Sequence, residues 1–367
     1  MMMQKFPNNM ETDYRSIERY RQYELLRDKS FVFDGARSHG TRLVKDDKTH
    51  DLKEEKRYFY IYNIDRTKNL YAGIRETCIK YFNDEKIEFW KNGICEENIV
   101  PNHLLSSQIS CLNHLFEIRT NSIIVQAVAQ AIVGDTIHII GVKPLNCDIV
   151  PEFIAFEVTS DNDYLDELGQ AKSLKRGEMC TSIDALIIAE TTSGDILIPI
   201  EWKYTESYNR CDKSIEDNPN KPSKKEAKGK ERLHRYTHLI DQSDYLVSLG
   251  EEEYRGSIYY QEPFYQLMRQ TLWSEQMLKH KDVERIKAID YVHVHVVPQK
   301  NGSLLQQGYE WGDTMESAWM SHLTDKGKER YKIVSPEIIV DAIEKADKDK
   351  NYVKLIKYLR TRYHYDK

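Results

Sequence analysis

The chain has 367 residues, 40% of them hydrophobic and 31% charged, with a formal net charge of −6. That length admits one large domain with embellishments or two ordinary domains, and the hydrophobic share supports a packed core. The acidic balance excludes a protein that coats nucleic acid through its overall charge; any nucleic acid would have to meet a local basic patch.

Cys78, Cys95, Cys111, Cys147, Cys180 and Cys211 form no CxxC pair and none of the spacings of a zinc knuckle. Scattered thiols in a long chain fit a reducing compartment. The opening MMMQKFPNN has no apolar signal core. The most apolar run, residues 123–133, holds Gln126 and Gln130 and is too short to span a bilayer. The expectation is a cytoplasmic protein that does not enter the membrane.

In chain order, residues 14–26 suit a helix and residues 31–56 read as loop, punctuated by Gly35, Gly40 and a charged run. The aromatic stretches 57–63 (RYFYIYN) and 86–90 predict strands. Leu105, Ile109, Leu112 and Phe116 recur at helical spacing within 103–118, and Asn121 then caps an apolar helix that stops at Gly134. Strands are predicted at 152–159, 183–190 and 196–204. The polar, Lys-rich stretch 211–230 predicts a mobile loop, followed by helices at 231–241 and 262–280. Residues 290–298 (DYVHVHVVP) alternate as a strand should, and residues 336–346 predict a late helix. The segments 183–190 and 196–202 are apolar on both parities, as in a sheet covered on both faces. The fold class expected is α/β.

The segment Thr191-Thr192-Ser193-Gly194-Asp195 is a good turn between two of these strands. Folding the chain about Thr192 and Ser193 sets Asp184 opposite Glu201, with Cβ atoms about 5 Å apart. Two like charges there repel unless a cation sits between them. Lys203, two residues beyond Glu201, points to the same face. Two carboxylates suit a hard cation such as Mg²⁺, with Mn²⁺ able to substitute, and the remaining positions go to water and phosphate oxygens. Such an ion polarises a phosphodiester and activates water, and a lysine beside it neutralises developing charge.

Asp184, sixteen intervening residues and then Glu201-Trp202-Lys203 resemble the signature of PD-(D/E)XK nucleases. The resemblance runs over roughly residues 103–298. Ser106-Ser107-Gln108, Phe156-Glu157, Glu201 through Glu206, and Tyr265-Gln266-Leu267 with Arg269 resemble more narrowly a restriction-endonuclease-like bacterial branch. The family's proline before the first aspartate is Ile183 here, and Pro199 is a bulge candidate. The resemblance implies a restriction-endonuclease-like core with a mixed central sheet flanked by helices at 101–300. An N-terminal extension (1–100) for recognition or dimer contacts and a C-terminal helical elaboration (301–367) would flank it.

Five further positions are candidates. Glu157, on the strand before the hairpin, is a further metal ligand or base, or an ordinary carboxylate at the sheet rim. Gln108 and Arg269 are candidate substrate contacts, weighed against solvated helix faces. The basic run around Lys224 and Lys225 is a candidate phosphate track, weighed against a solvated loop. His234 and His238 are four apart but lack the HExxH glutamate, and His293 and His295 share a strand face; both pairs read as ordinary histidines. The function expected is a metal-dependent endonuclease on double-stranded DNA, of restriction or defence type and dimeric to cut both strands. The alternatives are a structure-specific nuclease (a resolvase or repair nickase) and a binding module of the same fold that has lost catalysis.

Overall fold

A computed structural model describes residues 13–45, 51–90, 98–146, 150–168, 180–208, 211–215 and 222–365. The chain opens with helix α1 (Tyr14–Arg27), strands β1 (Gly40–Lys45) and β2 (Leu52–Arg57), and helices α2 (Arg75–Asp84), α3 (Ser107–Leu115) and α4 (Ser122–Val133). Strands β3 (Ile139–Lys143), β4 (Ala155–Val158), β5 (Ile183–Thr191) and β6 (Gly194–Trp202) follow, then helices α5 (Pro222–Asp241) and α6 (Phe264–Lys279). The last part holds β7 (Asp290–Tyr291), β8 (His293–Val296), the short helices α7 (Gly302–Leu305), α8 (Met315–Met320) and α9 (Asp325–Glu329), strand β9 (Tyr331–Val334), and helices α10 (Pro336–Ala346) and α11 (Val353–Tyr363).

The fold is α/β around a mixed sheet of seven strands. β3, β4 and β6 all run antiparallel to β5, with β3 and β4 sharing one of its edges. β7 and β8 run parallel to β6, and β9 parallel to β8. Alternation along β5 divides the core between two faces, because successive strand side chains point oppositely. Ala185, Ile187 and Ala189 join α3, α4, α10, α11 and the N-terminal residues Leu26, Phe33 and Ile61 in one hydrophobic cluster. Leu186 and Ile188 join α5 and α6 in the other. Asn121 caps α4 as its sequence predicts, accepting from the Ile124 amide, and Gly134 ends it at φ 79°.

Several local expectations are corrected. Residues 57–63 do not form a strand: after Arg57 the chain turns, and Asn63–Asn69 is a 3₁₀ helix. The aromatic side chains are instead a run of edge-to-face contacts, from Tyr23 through Tyr58, Phe59 and Tyr60 to His103. Residues 86–90 are irregular, with Phe89 stacked on Phe82. The loop expected over 31–56 contains the β1–β2 hairpin, which forms a separate two-stranded sheet and is laced by Arg42–Glu55. Within the stretch 211–230, Pro222 starts helix α5, a position where its missing N–H is no loss; residues 216–221 lie outside the described residues. The C-terminal part is not purely helical, since β9 completes the sheet.

Candidate active site

The hairpin is in the register that its turn implies. Thr191 pairs with Gly194 and Ala185 with Ile200, and the same register brings Asp184 opposite Glu201. Pro199 does not bulge the strand; it pairs with Leu186 in sequence. On the other side of β5, Phe156 pairs with Ala185 and Val158 with Ile183, which sets Glu157 opposite Asp184. Glu157, Asp184 and Glu201 therefore occupy one row across three adjacent strands. Glu157 breaks the extended backbone there, with φ at 49°. A non-glycine residue in that region stores roughly 1–3 kcal/mol, a strain that clusters at functional sites.

Around this row lies a cavity of about 590 Å³, whose lining includes Asp184, Glu201 and Lys203. It opens at one end of the sheet between the start of α3 (Ser106, Ser107, Gln108) and the first turns of α6 (Tyr265, Gln266, Arg269, Gln270). Lys203 Nζ lies 2.5 Å from Glu201 Oε1 and donates to Gln266 Oε1 at 2.6 Å. Gln270, one turn along α6 from Gln266, donates to Glu201 Oε2 and accepts from His293 Nε2 at 2.7 Å. Asp184 accepts from the Trp202 amide at 2.7 Å. Glu157 is held by Ser182 Oγ (2.5 Å), Gln108 Nε2 (2.7 Å) and Trp90 Nε1 (3.2 Å).

Lys203 meets this row at Glu201, and it offsets the crowding of the three carboxyls only in part. Burial first, and then the charges of Glu201 and Glu157, push the Asp184 carboxyl well above the usual carboxylate range; Lys203 and the Trp202 amide offset only part of this. Burial also raises Glu157, against the hydrogen bonds from Ser182, Gln108 and Trp90. For Lys203 burial acts downward, but Glu201, with help from Tyr208, Glu206 and Asp184, holds the ammonium firmly protonated. Glu206, on the cavity wall, accepts from Ser107 Oγ and the Tyr204 amide.

Of the residues singled out in the sequence, Asp184, Glu201, Lys203, Gln108 and Arg269 line this one cavity, and Glu157 lies directly behind Gln108 and Trp90. Arg269 is engaged already: its Nε and Nη2 donate to Glu167 Oε1 at 2.9 and 2.7 Å. Lys224 and Lys225 fall in the first turns of α5, and their side chains lie outside the described residues. His234 and His238 are exposed on α5, away from the cavity lining. His293 and His295 are buried beside the site, on Gln270 and Tyr331. Sequence reasoning missed Trp90, Ser182 and Gln270. Gln270 could have been found from its i+4 spacing to Gln266 on one helix face; Trp90 and Ser182 carry no such local signal.

Among the described residues, no three His, Cys, Asp or Glu side chains stand close enough together to form a metal site by themselves. A Mg²⁺ ion needs less than that: one or two carboxylates, with phosphate and water completing its shell. The opposed carboxyls of Asp184 and Glu201, both oxygen donors on a cavity wall and short of positive charge, fit such an ion. Residues 16–364 match the family described as restriction endonuclease associating with ARP. The chain belongs to that family. The match takes in the N-terminal region, the signature hairpin and the C-terminal helices alike, and the fold is a restriction-endonuclease-like α/β core. No curated protein and no solved structure matches the chain. Among the described residues no helix is long and apolar enough to cross a membrane.

Proposed function

We propose that this family member is a metal-dependent endonuclease that hydrolyses phosphodiester bonds of double-stranded DNA, of restriction or defence type. The observation that carries the reading is the pairing of Asp184 with Glu201 across the hairpin, with Lys203 on the same face and all three on one cavity wall. Asp184 and Glu201 are the residues that would hold Mg²⁺ or Mn²⁺. Such an ion, when bound, polarises the scissile phosphate and lowers the pKa of a water that attacks it.

The chain's own groups do the rest. Glu201 and Gln266 hold the Lys203 ammonium from two sides, so its charge is fixed where negative charge develops on the phosphate. A fixed donor of this kind avoids reorganisation during reaction, and its loss costs about 10²–10³ in rate. Gln270 keeps Glu201 oriented by occupying its second oxygen. Glu157, anchored by three donors, adds a negative charge behind Asp184 that favours a cation at the pair. Cutting both strands of a duplex calls for two sites related by a two-fold axis, so the working form is a homodimer on DNA.

Supercoiled plasmid incubated with the protein in Mg²⁺, in Mn²⁺ and in EDTA tests this. The reading predicts linear product with either metal and none in EDTA. Cleavage that persists in EDTA, or an intact plasmid in every condition across a broad panel of DNA sequences, overturns it. Light scattering with a cleavable duplex should give a particle of two chains.

A further inference from the structure

We propose that Trp90 forms one wall of a nucleobase subsite beside the hydrolytic centre, a reading that rests on the nuclease function proposed above. The chain's other tryptophans are packed into the protein: Trp202, Trp273 and Trp319 are buried, and Trp311 is partly buried against the core. Trp90 is 55% exposed and lines the same cavity as Asp184, Glu201 and Lys203. Its exposure is not that of a loose side chain. The backbone amide donates to Gln108 Oε1 at 2.8 Å and the indole N–H to Glu157 Oε1 at 3.2 Å. Gln108 in turn donates to the same Glu157 oxygen at 2.7 Å, so Trp90 is pinned to the cavity wall through a closed triangle of hydrogen bonds.

With its N–H groups engaged, what the residue has left to offer a ligand is the apolar face of its ring. Holding a large aromatic rigid and half in water forfeits burial energy and rotamer entropy. The arrangement makes physical sense if a flat ligand covers that face. The cavity falls in the size range of pockets that enclose small ligands. Its floor suits a phosphodiester, and its α6 side carries Tyr265, with the guanidinium of Arg269 5.4 Å from that ring. A phosphate joined to a flat heteroaromatic ring is a nucleotide. The ring stacks on Trp90 as the phosphate reaches Lys203, which makes it the base flanking the scissile bond. The indole takes the place of one stacking neighbour, so that base is unstacked on one side.

The test uses the full chain and a duplex whose cut site has been mapped by sequencing product ends. 2-Aminopurine replaces the base on either side of the cut, and its fluorescence is read on binding in EDTA. Trp90→Phe and Trp90→Leu both lose the indole N–H bond to Glu157, but only the phenylalanine keeps a π face. Base–aromatic stacking is worth about 1–3 kcal/mol, so Trp90→Leu should weaken DNA binding and raise KM about five- to a hundredfold, with loss of the 2-aminopurine signal. Trp90→Phe should retain most of both. If the two variants are impaired alike, the hydrogen bond to Glu157 is what matters and the subsite is refuted; unchanged KM and signal in Trp90→Leu refute it too. A wild-type protein that cleaves no DNA overturns the nuclease reading instead, and this one with it.

Discussion

Two buried acid–base pairs border the same cavity, and they are built differently. Glu167 and Arg269 form one, Glu201 and Lys203 the other. Glu167 Oε1 accepts from Arg269 twice, from Thr181 Oγ1 at 2.7 Å and from Tyr236 Oη at 2.8 Å, while Oε2 accepts from the Thr181 amide. A carboxylate offers about four lone-pair sites. Glu167 is saturated, and its pair is a clamp tying α6 to the segment before β5. Glu201 has one donor on each oxygen and a second carboxylate, Asp184, directly across the strand. The clamp neutralises its charge internally; the row of Glu157, Asp184 and Glu201 is offset only in part by Lys203, and two of its members, Asp184 and Glu201, line the cavity. Buried charge by itself therefore says little about chemistry. Unbalanced buried charge with coordination capacity to spare, on a cavity wall, says much more.

The comparison predicts opposite responses to mutation. Lys203→Ala and Asp184→Asn should lower single-turnover DNA cleavage about 10²–10³-fold or more, and Asp184→Asn, which relieves the crowding of carboxyls, should leave the thermal midpoint unchanged or raise it. A variant of either kind that cuts normally would move the chemistry elsewhere. Glu167→Gln should do the reverse: breaking a buried pair leaves the Arg269 guanidinium poorly matched, costing about 3 kcal/mol of stability in a denaturant titration. An unchanged midpoint would show that the clamp holds nothing.

A smaller effect tests the far end of the same core. His114 is fully buried, its Nδ1 donating to Ser110 O at 2.7 Å and its Nε2 accepting from Tyr365 Oη at 2.9 Å, and burial lowers its pKa to about 3. The unfolded histidine titrates near 6.5. Below that value the unfolded chain binds a proton that the folded one refuses, so this contribution to stability is intact above about pH 6.5 and is lost as the pH falls toward 3. Thermal midpoints measured from pH 7 to pH 4 should fall more steeply for the wild type than for His114→Gln. Parallel curves would remove His114 from the acid sensitivity.

The hairpin was readable because strand periodicity and turn chemistry are local: once Thr192 and Ser193 are the turn, symmetry alone opposes Asp184 and Glu201. Helix α4 was readable for the same reason, with Asn121 and Gly134 at its ends. What failed was where tertiary context decides. RYFYIYN has strand composition, yet its rings pack edge to face in a turn against Tyr23 and His103. Helix α2 buries only Cys78 and Phe82 and shows little periodicity to read. Glu157 was found in sequence, but its left-handed backbone and its anchoring by Trp90, nearly seventy positions away, were not. For Arg269 the sequence leaves a substrate contact or a solvated helix face, because Glu167, about a hundred residues distant, cannot be seen there to occupy it.

The central claim, that Glu201 is part of a hydrolytic centre and Glu167 of a clamp, is tested most directly by one assay on two isosteric variants. Supercoiled plasmid in Mg²⁺ is cut by wild type, Glu201→Gln and Glu167→Gln, each at a temperature where circular dichroism shows it folded. The account predicts no detectable linear product from Glu201→Gln within the time that wild type needs for complete cleavage, and cleavage within about tenfold of wild type from Glu167→Gln. Wild-type cleavage by Glu201→Gln would contradict it.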